Sequence, residues 1–260
     1  MAKGNNLTHV QDQIFTLVRK AQYNFGKMDR GILFHATDYV SECVRNIFYA
    51  KMNPREGLDT KTMSIFWAGS AIHNACAISP DEKNNEHHMT YDIVNDKAVS
   101  ADNPIDKTRL FDYISGTMDD LVEVKDGNKK EWCIVDKKTW RSRGFRKSSP
   151  SNNHVDQINI YKVMLKADQG IDAKYGSVVY FDMWQDGYEK PQVMPFELET
   201  VEKTRAKLLI IKQQLEDANK TGKLPDRKIH WKCNGYCPYA ERCFNEDEVE
   251  KGAIKFVAHV

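Results

Sequence analysis

The chain contains no run of about 18 apolar residues, which excludes a membrane-spanning helix. Its opening, MAKGNNLTHVQDQIF, has no apolar stretch of signal-peptide length, so export is not expected and the protein reads as cytoplasmic, whether cellular or virus-encoded. Neither sign of charge prevails: 38 Lys+Arg stand against 37 Asp+Glu, a formal charge of +1. Whole-chain charge therefore neither suggests nor excludes a nucleic-acid partner, and only local clustering bears on it. Cysteine is scarce, six in 260 residues, too few for a small disulfide scaffold. Internal repeats and low-complexity segments are missing. So is a G-x-x-x-x-G-K-[ST] loop, which leaves no ATP-driven motor of that type in the sequence.

An apolar share of 41%, with 29% charged residues and a mean hydropathy of -0.63, describes a surface-rich protein. It is long enough for a sizeable core in one domain or two small ones. A short helix is expected near Gln13–Ala21 and a longer one over His35–Met52, where Tyr39, Cys43, Ile47 and Ala50 recur at helical spacing. Asn53-Pro54 and Gly57 end that pattern, and helix resumes from about Met63, with Gly69 suited to a close packing contact. Ser79–Asp106 is polar and weakly patterned and reads as an irregular insertion or a small lid. Residues 110–124 read as a strand interrupted or bulged near Gly116, and Asp126-Gly127-Asn128 as a hairpin turn. Glu131–Lys138 follows as a strand with Trp132, Ile134, Asp136 and Lys138 on one face. Next come a helix over His154–Ala167, a strand over 177–183, a hairpin tip at Asp186-Gly187 and a partner strand at Gln192–Phe196. A last helix, Leu198–Asn219, directs Val201, Ala206, Leu208, Ile211 and Leu215 inward. This order implies a mixed α/β core.

Asp119 and Asp136 sit on strands joined by a turn, so a hairpin brings two carboxylates towards one divalent ion. Such hard oxygen donors suit Mg²⁺ or Mn²⁺. Lys138 lies two residues beyond Asp136 on the same face, where its ammonium can position a water or stabilise charge on a phosphate. A D-x-K triplet is usually a solvated face, but Trp132 and Ile134 share this one, and buried charge must be paired or metal-bound. His73 is either a nitrogen ligand to the same ion or an ordinary helix histidine. Gln157 and Tyr161, one helical turn apart, either contact a nucleotide phosphate or form a helix-surface pair. Cys233, Cys237 and Cys243 fall within eleven residues and read as metal or cluster ligands lacking a fourth partner. Cys76 and Cys133 read as ordinary core residues. The loop after the lysine strand puts Arg141, Arg143, Arg146 and Lys147 around Phe145, a plausible phosphate-tracking element with a ring to stack on a base.

The ordered series GSAIH (Gly69–His73), GTMD (Gly116–Asp119), IVDKKT (Ile134–Thr139) and QINIY (Gln157–Tyr161) resembles the RecB-like branch of the PD-(D/E)xK nuclease superfamily. Cys43 in DYVSECVRNIFY, followed by Arg45 and Tyr49, together with the C-terminal cysteines, resembles the Cas4-type and AddB-type nucleases. The resemblance spans residues 34–244, with an N-terminal extension over 1–33 and a tail over 245–260.

It implies a single restriction-endonuclease-like α/β core with a mixed central sheet flanked by helices. His73, Asp119, Asp136 and the backbone carbonyl of Lys137 are implied as ligands of Mg²⁺ or Mn²⁺, Lys138 as the catalytic lysine, and Gln157 and Tyr161 as supporting DNA contacts. Asp120 is set aside, because the G-x-x-D spacing selects Asp119. Cys43, Cys233, Cys237 and Cys243 are implied as ligands of a [4Fe–4S] cluster joining the chain ends. The relatives have two residues between the second and third cysteines where CNGYC has three, which leaves an altered cluster or zinc open. The activity implied is metal-dependent hydrolysis of DNA, single-stranded or with free ends, in repair, replication or CRISPR-like processing. A helicase, recombination or CRISPR-adaptation partner and an oligomer are compatible with it. The alternative is an inactive or partner-dependent DNA-binding module stabilised by zinc or iron–sulfur.

Overall fold

The computed structural model describes residues 33–41, 43–52, 69–71, 76, 78–79, 81–140, 148–182, 191–229 and 231–254. The chain forms two compact units, Met1–Arg30 with Arg55–Cys76, and Gly31–Pro54 with Ala77–Val260. In the first, the described residues are a helical stretch over 69–71 and the half-buried Cys76, which is less enclosed than a core cysteine.

A seven-stranded mixed sheet organises the second unit. Its path runs β3 (Lys97–Ala98), β2 (Asn85–Asp92), β4 (Tyr113–Asp126), β5 (Lys129–Trp140), β6 (Tyr175–Asp182) and β7 (Gln192–Glu197). The short β1 (Phe34–His35) pairs parallel with β4. β5 and β6 are also parallel, and the remaining pairs are antiparallel. The helices are α1 (Ala36–Tyr39), α2 (Val44–Met52), α3 (Asn152–Gln169), α4 (Val201–Thr221) and α5 (Ala240–Asn245). A mixed α/β fold is what the element order implied, and the helix-flanked central sheet is what the family resemblance implied.

Parallel neighbours need a crossover, and α3 supplies it between β5 and β6. It packs on β2, β5 and β6 and is covered in turn by α4, so every residue from Gln157 to Leu165 is buried. A helix enclosed on all sides loses the simple amphipathic stripe. α4 keeps one. Thr200 caps its start by accepting the Lys203 N–H at 3.3 Å, and Gly222, at φ 79°, closes its end in the left-handed region. Thr204, Leu208, Leu215 and Ala218 face inward, whereas Ala206, expected in the core, is exposed because it lies on the far side of that stripe.

Three expectations are corrected. Ser79–Asp106 is not an irregular insertion: Asn85–Asp92 forms β2, hydrogen-bonded along β4 from Asn85↔Asp120 to Asp92↔Tyr113. The strand over residues 110–124 is not broken at Gly116; β4 passes through it uninterrupted. The helix over His35–Met52 is two helices: the first, whose start is capped by Asp38 accepting the His35 N–H at 2.8 Å, ends at Tyr39, and the second begins at Val44. The hairpin turn at Gly127-Asn128 falls where expected, with Gly127 at φ 60°. The expected helix near Gln13–Ala21 and the hairpin tip at Asp186-Gly187 lie outside the described residues.

Candidate active site

The ladder between β4 and β5 runs from Asp126↔Lys129 up to Asp120↔Val135. Beyond that point β4 stays paired with β2, and β5 with β6. The two strands therefore part at Asp119 and Asp136, and the fork holds both carboxylates. Asp119 is 5% exposed and Asp136 1%. The Lys137 main-chain N–H donates to Asp119 Oδ2 at 2.6 Å, tying the strands together just past the ladder's end. Lys138 Nζ donates to Asp136 Oδ1 at 2.8 Å, and its side chain is 22% exposed, so it reaches from the buried carboxylate towards solvent.

α3 supplies the roof. Gln157 Nε2 donates to the Tyr161 hydroxyl at 2.7 Å, and both side chains are buried. Burial, followed by the Asp136 carboxylate, pushes the Tyr161 phenol far above its ordinary range; Asp119 and Glu86 add to this, and Gln157 only partly offsets it. Tyr161 is thus a neutral phenol beside the carboxylate pair. Gly116 explains how it fits: a Cβ there would lie 2.8 Å from Tyr161 Cε1 and 3.2 Å from Ala36 Cβ. The glycine is needed for that close approach, not for a bulge.

Asp120, set aside by the motif spacing, is fully buried. Its Oδ2 lies 3.1 Å from Lys137 Nζ, and its Oδ1 accepts the N–H groups of Ile78 at 2.9 Å and Ser79 at 3.1 Å. Glu86 Oε1 stands 3.7 Å from the same ammonium. The doublets Asp119-Asp120 and Lys137-Lys138 were the signal for this pairing, since neighbours on a strand point to opposite sides. His73 and the basic loop of Arg141, Arg143, Phe145, Arg146 and Lys147 lie outside the described residues.

Cys43, Cys233, Cys237 and Cys243 line one pocket. All four are free thiols, Asn46 Nδ2 lies 3.3 Å from Cys237 Sγ, and burial raises the Cys243 thiol. Early and late segments are held together here by Arg45, which is 3% exposed and donates to the carbonyls of Pro225 at 2.8 Å, Cys243 at 3.1 Å and Glu246 at 2.9 Å. Cys133, as expected, is buried, and burial lifts its thiol to about 11.

Among the described residues no three His, Cys, Asp or Glu side chains are grouped as a metal site. The donor chemistry nonetheless suits two different groups. Asp119 and Asp136, with the main chain beside them, offer hard oxygens for a divalent cation. The four pocket-lining thiols offer soft donors for zinc or iron–sulfur.

The crystal structure of SSO0001 shares the fold at a TM-score of 0.54 and 15% identity, over 90% of this chain and 97% of that one. No curated protein matches the sequence. No helix among the described residues is long and apolar enough to cross a membrane. The family model for the PD-(D/E)XK nuclease superfamily matches residues 16–244, most of the sequence, and the chain belongs to that superfamily.

Proposed function

We propose that the protein is a metal-dependent DNA nuclease, acting on single-stranded DNA or free DNA ends as an exonuclease. The observation that carries this reading is the meeting of Asp119, Asp136 and Lys138 at the fork between β4 and β5. In it, Asp119, Asp136, the Lys137 carbonyl and His73 hold Mg²⁺ or Mn²⁺. When bound, the cation supplies Lewis-acid stabilisation of charge on the scissile phosphate. Lys138, already aimed by Asp136, orients the attacking water and stabilises the developing oxyanion. The neutral phenol of Tyr161, aligned by Gln157, donates towards the phosphate and shields the carboxylates from bulk water. Arg141, Arg143, Arg146 and Lys147 track the backbone, and Phe145 stacks on a base.

Cys43, Cys233, Cys237 and Cys243 hold a [4Fe–4S] cluster with a structural role in this reading. Their shared pocket, next to the Arg45 contacts that already join early and late segments, supports it. Binding there stabilises the folded form.

The test is cleavage of end-labelled single-stranded DNA by anaerobically purified protein, with Mg²⁺ or Mn²⁺ and with EDTA, beside an Asp119→Ala variant. Metal-dependent degradation lost in the variant is the expected result, and the fragment ladder reads out polarity. Metal-dependent cleavage that persists in Asp119→Ala would sink the assignment of the site. No cleavage by protein that binds DNA would favour a binding module instead.

A further inference from the structure

We infer that Asp120 and Lys137 are a positioning pair that sets the separation of Asp119 and Asp136; the inference rests on the metal-dependent function proposed above. Both side chains are 0% exposed, and they meet at 3.1 Å. Taking two charges out of water is costly, and an apolar pair of similar volume is often equally stable or more so. Stability alone therefore gives no reason for an ion pair here. Its location does.

Asp120 follows Asp119 directly, and Lys137 separates Asp136 from Lys138. The last ladder pair of β4 and β5 is Asp120↔Val135, so the fork begins at these residues. Lys137 crosses the fork twice, through its N–H to Asp119 at 2.6 Å and through its ammonium to Asp120 at 3.1 Å. The other Asp120 oxygen takes the N–H groups of Ile78 and Ser79. One buried carboxylate thus adjoins Asp119 in the chain and meets the residue between Asp136 and Lys138 across the fork. The ion pair spans the fork where the ladder stops, so it bears on how far β4 and β5 open at Asp119 and Asp136. Groups behind metal ligands commonly change metal affinity about 10–100-fold when removed.

The experiment compares the full-length protein with Asp120→Asn, Lys137→Met and the double variant Asp120→Asn/Lys137→Met. Lys137→Met takes the counter-charge from the buried Asp120 carboxylate, and Asp120→Asn shifts the Lys137 ammonium towards Glu86, 3.7 Å away, so the double variant is decisive; it carries neither charge of the pair and keeps an Asn oxygen for Ile78 and Ser79. Near-UV circular dichroism reports folding, amide hydrogen exchange in metal-free protein reports the Lys137 N–H, and electron paramagnetic resonance titration reports Mn²⁺ binding. The expected result is a folded double variant with faster exchange over residues 133–140, unchanged exchange in α3, and Mn²⁺ affinity reduced about 10–100-fold. A double variant with wild-type exchange and wild-type Mn²⁺ affinity would overturn the positioning pair alone. One that fails to fold would overturn it too, by making the pair a stability element. Wild-type protein that binds no Mn²⁺ would overturn the metal-dependent reading and this inference with it.

Discussion

Lys138 Nζ lies 2.8 Å from Asp136 Oδ1, and the two partners differ in setting: Asp136 is 1% exposed and the Lys138 side chain 22%. The lysine therefore serves as the counter-charge of a buried carboxylate while keeping a path to solvent. That double role separates its effects on activity and stability. Lys138→Ala should abolish DNA cleavage and cost about 1–3 kcal/mol, the usual range for leaving a buried polar group without its partner. Thermal melting in EDTA and in Mn²⁺ checks the second half: a cation on Asp136 replaces the lost ammonium, so the deficit should shrink with Mn²⁺. A deficit independent of Mn²⁺ would argue against metal at Asp136.

Gly116→Ala tests the seat of Tyr161. The added methyl would sit 2.8 Å from Tyr161 Cε1, and that ring is buried with its hydroxyl bonded to Gln157. Overpacking of this kind typically costs about 1–3 kcal/mol. Urea denaturation should show that loss, and the displaced ring should lower cleavage beyond what the stability change explains. Gly127→Ala, at a turn glycine with φ 60° and open space around it, should destabilise through backbone strain and leave cleavage by the folded fraction intact.

Short motifs made the fork legible in the sequence, because each motif carries its chemistry in a few adjacent residues. The hairpin signal Asp126-Gly127-Asn128 fixed the register that brings Asp119 level with Asp136. β2 was illegible for the opposite reason. Asn85–Asp92 reads NEHHMTYD, its first half is polar, and its strand character comes from ladder bonds to β4 instead of from an alternating apolar pattern. The turn between α1 and α2 was hidden because Tyr39, Cys43 and Ile47 are buried on both sides of it, which preserves helical spacing across a break. Asp120 was dismissed on motif spacing, yet the Asp119-Asp120 and Lys137-Lys138 doublets, read across the paired strands, point to its partner Lys137.

Acid should weaken the outer helix. Burial works against ionisation of Glu216, but Lys212 and Lys220 outweigh it and hold the carboxyl below its ordinary 4.5. Lys212 also bridges to Asp112 at 2.8 Å, linking α4 to the start of β4. A depressed folded-state value means that the stabilisation is complete above about pH 4.5 and is lost as pH falls through the folded-state value. Urea midpoints measured across this range should fall on acidification, and Glu216→Gln should make the fall shallower. An unchanged slope in that variant would remove Glu216 from the acid response.

Arg45 carries the sharpest prediction about the cysteine region. It is 3% exposed and donates to the carbonyls of Pro225, Cys243 and Glu246, while Asp247 lies 3.6 Å from its Nη2. These bonds hold the segment bearing Cys233, Cys237 and Cys243 against α2, whose first turn follows Cys43. Arg45→Met keeps much of the volume but takes the donor from the Pro225 carbonyl and leaves those of Cys243 and Glu246 to Arg227, and the loss should be about 1–3 kcal/mol. Limited proteolysis should then cut within residues 226–250 before it touches the sheet. If the four thiols share a cluster, the variant should also lose iron on anaerobic purification, whereas Arg227→Met, at a more exposed donor to Cys243, should lose less. Full iron retention with a released C-terminal segment would show that the late cysteines do not act together with Cys43.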